Sequence, residues 1–121
     1  MVKVLKFGGS SVQDAEKIRQ VCSIVKDERK NGEIAVVFSA MKGITDLLIE
    51  SSKTAASGNS GYRKNIELLR TRQKRAAEEL MDGNTASDVI AKIEEMIEEL
   101  TNILHGIELV KECSARSLDL V

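Results

Sequence analysis

The sequence predicts an α/β chain in which a parallel βαβ unit is followed by a long helical hairpin. Three observations predict it. Residues 2–7 read as a buried strand although Lys3 and Lys6 interrupt it, and residues 34–38 are a continuous apolar run of strand length. Between them, residues 13–30 repeat Ile18, Val21, Cys22 and Val25 at the 3,4 spacing of one helix face. From Tyr62 onward, two long stretches of the same periodicity flank Asp82-Gly83-Asn84.

Each element has its local reasons. In the first helix, Asp14 and Glu16 stand near the start and Lys26, Arg29 and Lys30 near the end, which suits the helix dipole. Asn31-Gly32 is a stop signal. The continuous run 34–38 suits a parallel strand covered on both faces. A second helix is expected from Asp46, with Thr45 as its N-cap and Leu47, Leu48, Ser51 and Ala55 along it. Residues 57–61 read as a flexible loop by composition. The hairpin's first arm, 62–81, carries Ile66, Leu69, Ala76 and Leu80 on one stripe. Thr85 and Asp88 form a Thr-x-x-Asp cap for the second arm. That arm repeats Val89, Ile93, Met96, Ile97, Leu100, Ile103, Leu104 and Ile107 and is expected to end near Glu112, before a new helical segment from Ser114.

Composition narrows the function. The 121 residues suffice for one domain. Eighteen basic residues against nineteen acidic ones leave a net charge of −1, so no global field draws the chain to nucleic acid or membrane. Phe7, Phe38 and Tyr62 are the only aromatics, which provides poorly for base stacking. Cys22 and Cys113 have no metal or redox spacing and read as small buried hydrophobes in a reducing cytosol. A single histidine, His105, excludes a His-based triad or a multi-His metal site within these residues, and no metal site is expected. No signal-like segment and no apolar run near ~18 residues appears, so a cytoplasmic location is expected. Arg70, Arg72, Lys74 and Arg75 and the acidic Glu94, Glu95, Glu98 and Glu99 read as solvated helix faces paired across the hairpin.

The chemistry concentrates where the strands end. The first strand carries Lys6 and leaves into Gly8-Gly9-Ser10-Ser11. Glycines let backbone N–H groups approach a ligand closely, and the next helix's N-terminus favours an anion. Lys6 adds a point charge, so the loop reads as a phosphate site, or else as no more than a tight turn. It is neither a Walker A loop nor a G-x-G-x-x-G fingerprint. The second strand leaves into residues 39–46, where Ser39 and Thr45 offer hydroxyls; the alternative is that Ser39 only ends a strand and Thr45 only caps a helix. Parallel strands bring both loops to the carboxyl edge, where ligands bind in open α/β sheets.

Lys6-Phe7-Gly8-Gly9-Ser10-Ser11-Val12, then Val37-Phe38-Ser39-Ala40-Met41-Lys42-Gly43-Ile44-Thr45-Asp46-Leu47-Leu48, and more weakly His105-Gly106-Ile107-Glu108-Leu109 together resemble the amino-terminal region of aspartokinases, monofunctional or fused to homoserine dehydrogenase, within the amino-acid kinase family. The resemblance covers essentially the whole chain. It implies a partial amino-acid kinase fold, with residues 1–121 the amino-terminal portion of a catalytic domain and the hairpin at about 62–112. It implies ATP-dependent phosphorylation of the β-carboxylate of L-aspartate, the entry to lysine, threonine and methionine synthesis, with ATP and Mg2+ as the phosphate-donor substrate. Lys6 would contact the transferring phosphate as the catalytic lysine. Phe7, Gly8, Gly9 and Ser10 would form the phosphate loop, and Ser39 and Thr45 would help to hold aspartate.

The resemblance also implies that a Gly-Glu-bearing segment, the adenine-binding half and the ACT domains lie beyond these residues. The isolated chain is therefore expected to be inactive and to homo-oligomerise, or pair strand edges, to hide apolar surface. A non-catalytic helical interaction or dimerisation module is the rival, marked by the apolar stripe of the second arm. A kinase acting on glutamate or carbamate is a further rival, against which residues 39–46 speak.

Overall fold

The computed structural model describes residues 1–119, with side chains described through Lys111. The chain divides into two compact units, Met1–Thr45 and the residues from Asp46 onward.

The first unit is the βαβ unit. Strand β1 (Lys3–Phe7) pairs in parallel with β2 (Ile34–Phe38), in the register Lys3 with Ile34 through Phe7 with Phe38. A short 3-10 turn (Gly9–Val12) leads from β1 to helix α1 (Ala15–Arg29). Asp14 caps α1 by accepting a hydrogen bond from the Lys17 N–H at 2.9 Å, as its position before the apolar repeat suggests. Strand alternation puts Leu5, Phe7, Ile34 and Val36 on one face, all half-buried. Lys3 shares that face, and its Nζ meets Glu28 of α1 at 2.6 Å. The other face, with Val4, Lys6, Ala35 and Val37, is exposed. The expected two-sided cover of β2 is therefore not found: Val37 stays half exposed, because two strands and one crossover helix cover one face of a sheet. Cys22 is also exposed, contrary to the expectation of a buried thiol. The covered face of α1 is carried by Val21 with the half-buried Ile18 and Val25, and Cys22 falls at the margin of that stripe. The side chain of Cys113 lies outside the described residues.

The second unit is helical: α2 (Ile44–Ala56), α3 (Tyr62–Leu80) and α4 (Gly83–Asp119). Its core gathers Ala55, Tyr62, Ile66, Ile97 and Leu104, with Ile93 and Leu100 packed against it. Ser51, buried on α2, is satisfied by donating to the Leu47 carbonyl and accepting from Asn65 Nδ2. The predicted α3 stripe holds at Ile66 and Leu69, and farther along Ala77 rather than Ala76 is buried. On α4 the predicted stripe splits in two. Ile97 and Leu104 face the core, while Met96, Ile103 and Ile107 are exposed, because one partner helix covers only one side of so wide an apolar band.

Three helix boundaries differ from expectation. Thr45 is not an N-cap but lies inside the first turn of α2, which begins one residue earlier. Thr85 likewise lies inside α4, whose first turn is closed by the Asp82 carbonyl accepting from the Ala86 N–H. Helix α4 also runs through Glu112 and Ser114 to Asp119 without a break, since no glycine or proline interrupts it there.

Part of the two charge clusters pairs across the hairpin, through Glu94, while Arg75 pairs with Glu79 on its own helix. Glu94 on α4 meets Lys74 at 2.8 Å and Arg70 at 3.2 Å, and Arg70 also pairs with Glu67 on its own helix. The Lys74 ammonium, with Arg70 beside it, holds the Glu94 carboxyl below the ordinary range.

One clasp joins the helices more deeply. The fully buried Tyr62 donates its hydroxyl to Glu108 Oε1 at 2.7 Å, and His105 Nδ1 lies 3.6 Å from the same oxygen. Arg63 sits 5.4 Å from the Tyr62 ring centroid. The Tyr62 hydrogen bond lowers the Glu108 pKa against an opposing effect of burial. Burial, then the Glu108 contact, raises that of Tyr62.

Two outcomes follow for stability. Leu104→Ala empties a fully packed position and lowers the unfolding free energy by about 2–5 kcal/mol, read by urea denaturation. Because the folded Glu108 carboxyl sits below its ordinary 4.5, its contribution is complete above that value and is lost as pH falls through the lower folded one. The stability advantage of wild type over Glu108→Gln therefore shrinks on acidification from about pH 6 to about pH 3; an advantage constant over that range contradicts the assignment.

Candidate functional site

The parallel pairing carries the carboxyl ends of β1 and β2 to one edge, and the backbone then ties the two outgoing loops together. The Ser39 N–H donates to the Phe7 carbonyl at 3.0 Å, extending the ladder one residue past the strands. The Lys42 N–H donates to the Gly9 carbonyl at 3.1 Å. Lys6, Phe7, Gly8, Gly9, Ser10 and Ser39 are thus collected at one end of the βαβ unit. Thr45 lies beyond the turn in which the Ile44 N–H donates to the Met41 carbonyl, exposed on the first turn of α2.

Each residue arrives for a local reason. Lys6 follows Val4 on the open sheet face, so its ammonium stays in water beside the loop. Phe7 belongs to the opposite face, where its ring stacks on Phe38 with centroids 6.0 Å apart and planes 21° from parallel. It offers the site backbone rather than side chain. Gly8 precedes the 3-10 turn in an extended conformation, φ −79° and ψ 175°, and its carbonyl accepts from the Ser11 N–H at 3.0 Å. Neither Gly8 nor Gly9 has a positive φ. Their smallness, not left-handed backbone, is what this loop uses. A Cβ on Gly8 would meet nothing within 4 Å, so the space above it is open for a ligand. A Cβ on Gly9 would lie 3.1 Å from the Ala40 carbonyl oxygen. Ser10 and Ser39 are exposed, with their hydroxyls accessible to a ligand.

The arrangement suits an anion bearing several oxygens. It offers a lysine, loop N–H groups and hydroxyls on the neighbouring loop. Sequence reasoning gave Lys42 no role, yet its amide makes the second tie between the loops. The local signal was a lysine directly before Gly43, the residue that turns the chain into α2 with φ 88°. Among the described residues, no three His, Cys, Asp or Glu side chains cluster to hold a metal ion, and no helix is long and apolar enough to cross a membrane.

A second concavity, about 580 Å³, lies on the hairpin between Arg70 and Glu94, Glu95, Glu98, Thr101 and Asn102. It is shallow, and its arginine is already engaged by Glu67 and Glu94.

Comparison with known proteins agrees with the chemistry of the strand edge. Residues 1–114 match the model of the amino acid kinase family. Aspartokinase 2, chloroplastic, of Arabidopsis thaliana is 32% identical over 96% of this chain and 21% of its own length. A bifunctional aspartokinase/homoserine dehydrogenase of Buchnera aphidicola is 32% identical over 93% of the chain and 14% of its own length. An aspartokinase of Chlamydia trachomatis is 39% identical over 64% of the chain and 16% of its own length. The chain therefore spans about a fifth or less of these relatives. With a family match over nearly all of its residues, and strand–loop–helix chemistry gathered at one sheet edge, the chain belongs to the amino acid kinase family.

Proposed function

We propose that this chain forms the amino-terminal part of an aspartokinase catalytic domain, working in the cytoplasm, and contributes its phosphate loop and part of its aspartate site. The observation that carries the reading is the tied pair of loops. Lys6 and the Gly8–Gly9 backbone stand on one, Ser39 and Thr45 on the other, and hydrogen bonds from Ser39 and Lys42 join them. The relatives named above, all aspartokinases by name, support the choice of acceptor.

In this reading the substrates are ATP with Mg2+ and L-aspartate. A β-carboxylate oxygen attacks the γ-phosphorus, the bond from that phosphorus to the bridging oxygen breaks, and ADP leaves with the bond's electrons. No covalent nucleophile from the protein is needed, because phosphoryl transfer is chiefly positioning and neutralisation of charge. Lys6 balances charge on the transferring group. The Gly8, Gly9 and Ser10 backbone donates to phosphate oxygens, and the Ser39 and Thr45 hydroxyls orient aspartate. Phe7 holds the loop by its stack on Phe38. The adenine site is assigned to none of the described residues.

A second reading has its own observation. Met96, Ile103 and Ile107 form an exposed apolar stripe on α4, as expected of a helical interaction or homo-oligomerisation module.

Titration calorimetry of the folded chain with Mg–ATP and with L-aspartate, beside Lys6→Ala, tests the first reading. Expected is weak Mg–ATP binding that falls about tenfold or more in the variant, the loss of a charge-assisted contact. Binding that Lys6→Ala leaves unchanged, or none by a folded chain, sinks the phosphate-loop assignment and favours the module.

A further inference from the structure

The two loops meet through one residue in particular. Gly9 accepts from the Lys42 N–H, and its missing Cβ lets the Ala40 carbonyl and the Lys42 backbone pass at distances that a side chain would crowd. The atoms a Cβ would meet are all backbone: Ala40 O at 3.1 Å, Lys42 Cα and Lys42 N at 3.4 Å. Backbone in a hydrogen-bonded turn yields less readily than the end of a flexible side chain. Gly8, its neighbour, has no such contact. The adjacent glycines therefore have different tasks.

From this, and resting on the phosphate-loop reading above, we infer that Gly9 is a positioning residue that couples the phosphate loop to the acceptor loop. The second loop is pinned to the first at two points, Ser39 to Phe7 and Lys42 to Gly9. Lys42 is followed by Gly43 and then by the first residue of α2, so a shift at Lys42 passes within three residues to Thr45. An anion that orders the first loop therefore orders the hydroxyl-bearing loop as well. By reciprocity, ordering the second loop tightens the hold on the anion. Gly8 leaves room for the ligand; Gly9 leaves room for the other loop.

The test is amide NMR of the 15N-labelled chain, comparing wild type, Gly8→Ala and Gly9→Ala. Unperturbed α1 signals, together with those of α3 and α4, establish that each variant is folded in both units. Without ligand, Gly9→Ala is expected to speed exchange of the Lys42 N–H by about tenfold and to move the amide signals of residues 39–45, while Gly8→Ala leaves both as in wild type. Exchange at Lys42 that is the same in Gly9→Ala and wild type overturns the inference. Inorganic tripolyphosphate is then titrated. Expected in wild type is a joint response of residues 8–11 and 42–45, with the second segment's response at least about threefold smaller in Gly9→Ala. A first loop that responds while the second stays silent in wild type overturns the coupling and leaves the phosphate site standing. No response in either loop overturns the phosphate site and the coupling with it.

Discussion

Parallel pairing of β1 with β2 is the constraint on which the candidate site depends. Antiparallel strands would send their outgoing loops to opposite ends of the sheet. Parallel strands send both to the same end and require a crossover, which α1 supplies. The register then decides which residues meet. With Phe7 opposite Phe38, the next amide, that of Ser39, falls on the Phe7 carbonyl, and the loops leave already joined. A slip of one residue would exchange the faces of the strand and take Lys6 from the open side to the packed one.

The helical unit is held by different means. Its core is small and aliphatic around a single aromatic, Tyr62, and the polar end of that ring is satisfied by Glu108 rather than by water. A buried tyrosine without a partner would destabilise the packing it fills, and a buried carboxylate without a donor would do so more strongly. Each is satisfied by the other, which fixes the alignment of α4 along α3. The outer pairs of Glu94 with Lys74 and Arg70 repeat that alignment farther along the hairpin in a more solvated setting.

Much of this was legible in the residues. Apolar runs of strand length marked both strands, and the periodicity of residues 13–30 marked α1, whose cap at Asp14 places its start two residues later than expected. The gathering of Lys6, the glycine loop and Ser39 followed from parallel topology alone. Periodicity found both arms of the hairpin but could not say which part of a broad apolar band meets a partner, so Met96 and Ile103 read as core with Ile97 and Leu104. Caps were the weakest signal. Thr45 and Thr85 have the right chemistry, but the residues before them, Ile44 and Gly83, already belong to the helices, and a cap must stand outside one. The distinction between Gly8 and Gly9 was out of reach, because it depends on what lies across from each glycine and not on the glycine itself.

The open face of the sheet gives Lys6 a second significance. Val4 and Val37 lie uncovered beside it, on strands whose outer edges have no strand partner among the described residues. A flat apolar strand in that setting is a template for pairing with another molecule, and a charge in its midst is the usual guard against that. Lys6 stands as such a gatekeeper among Val4, Ala35 and Val37 on the open face. A cation at this position therefore guards the open face against pairing, whatever ligand the neighbouring loop takes.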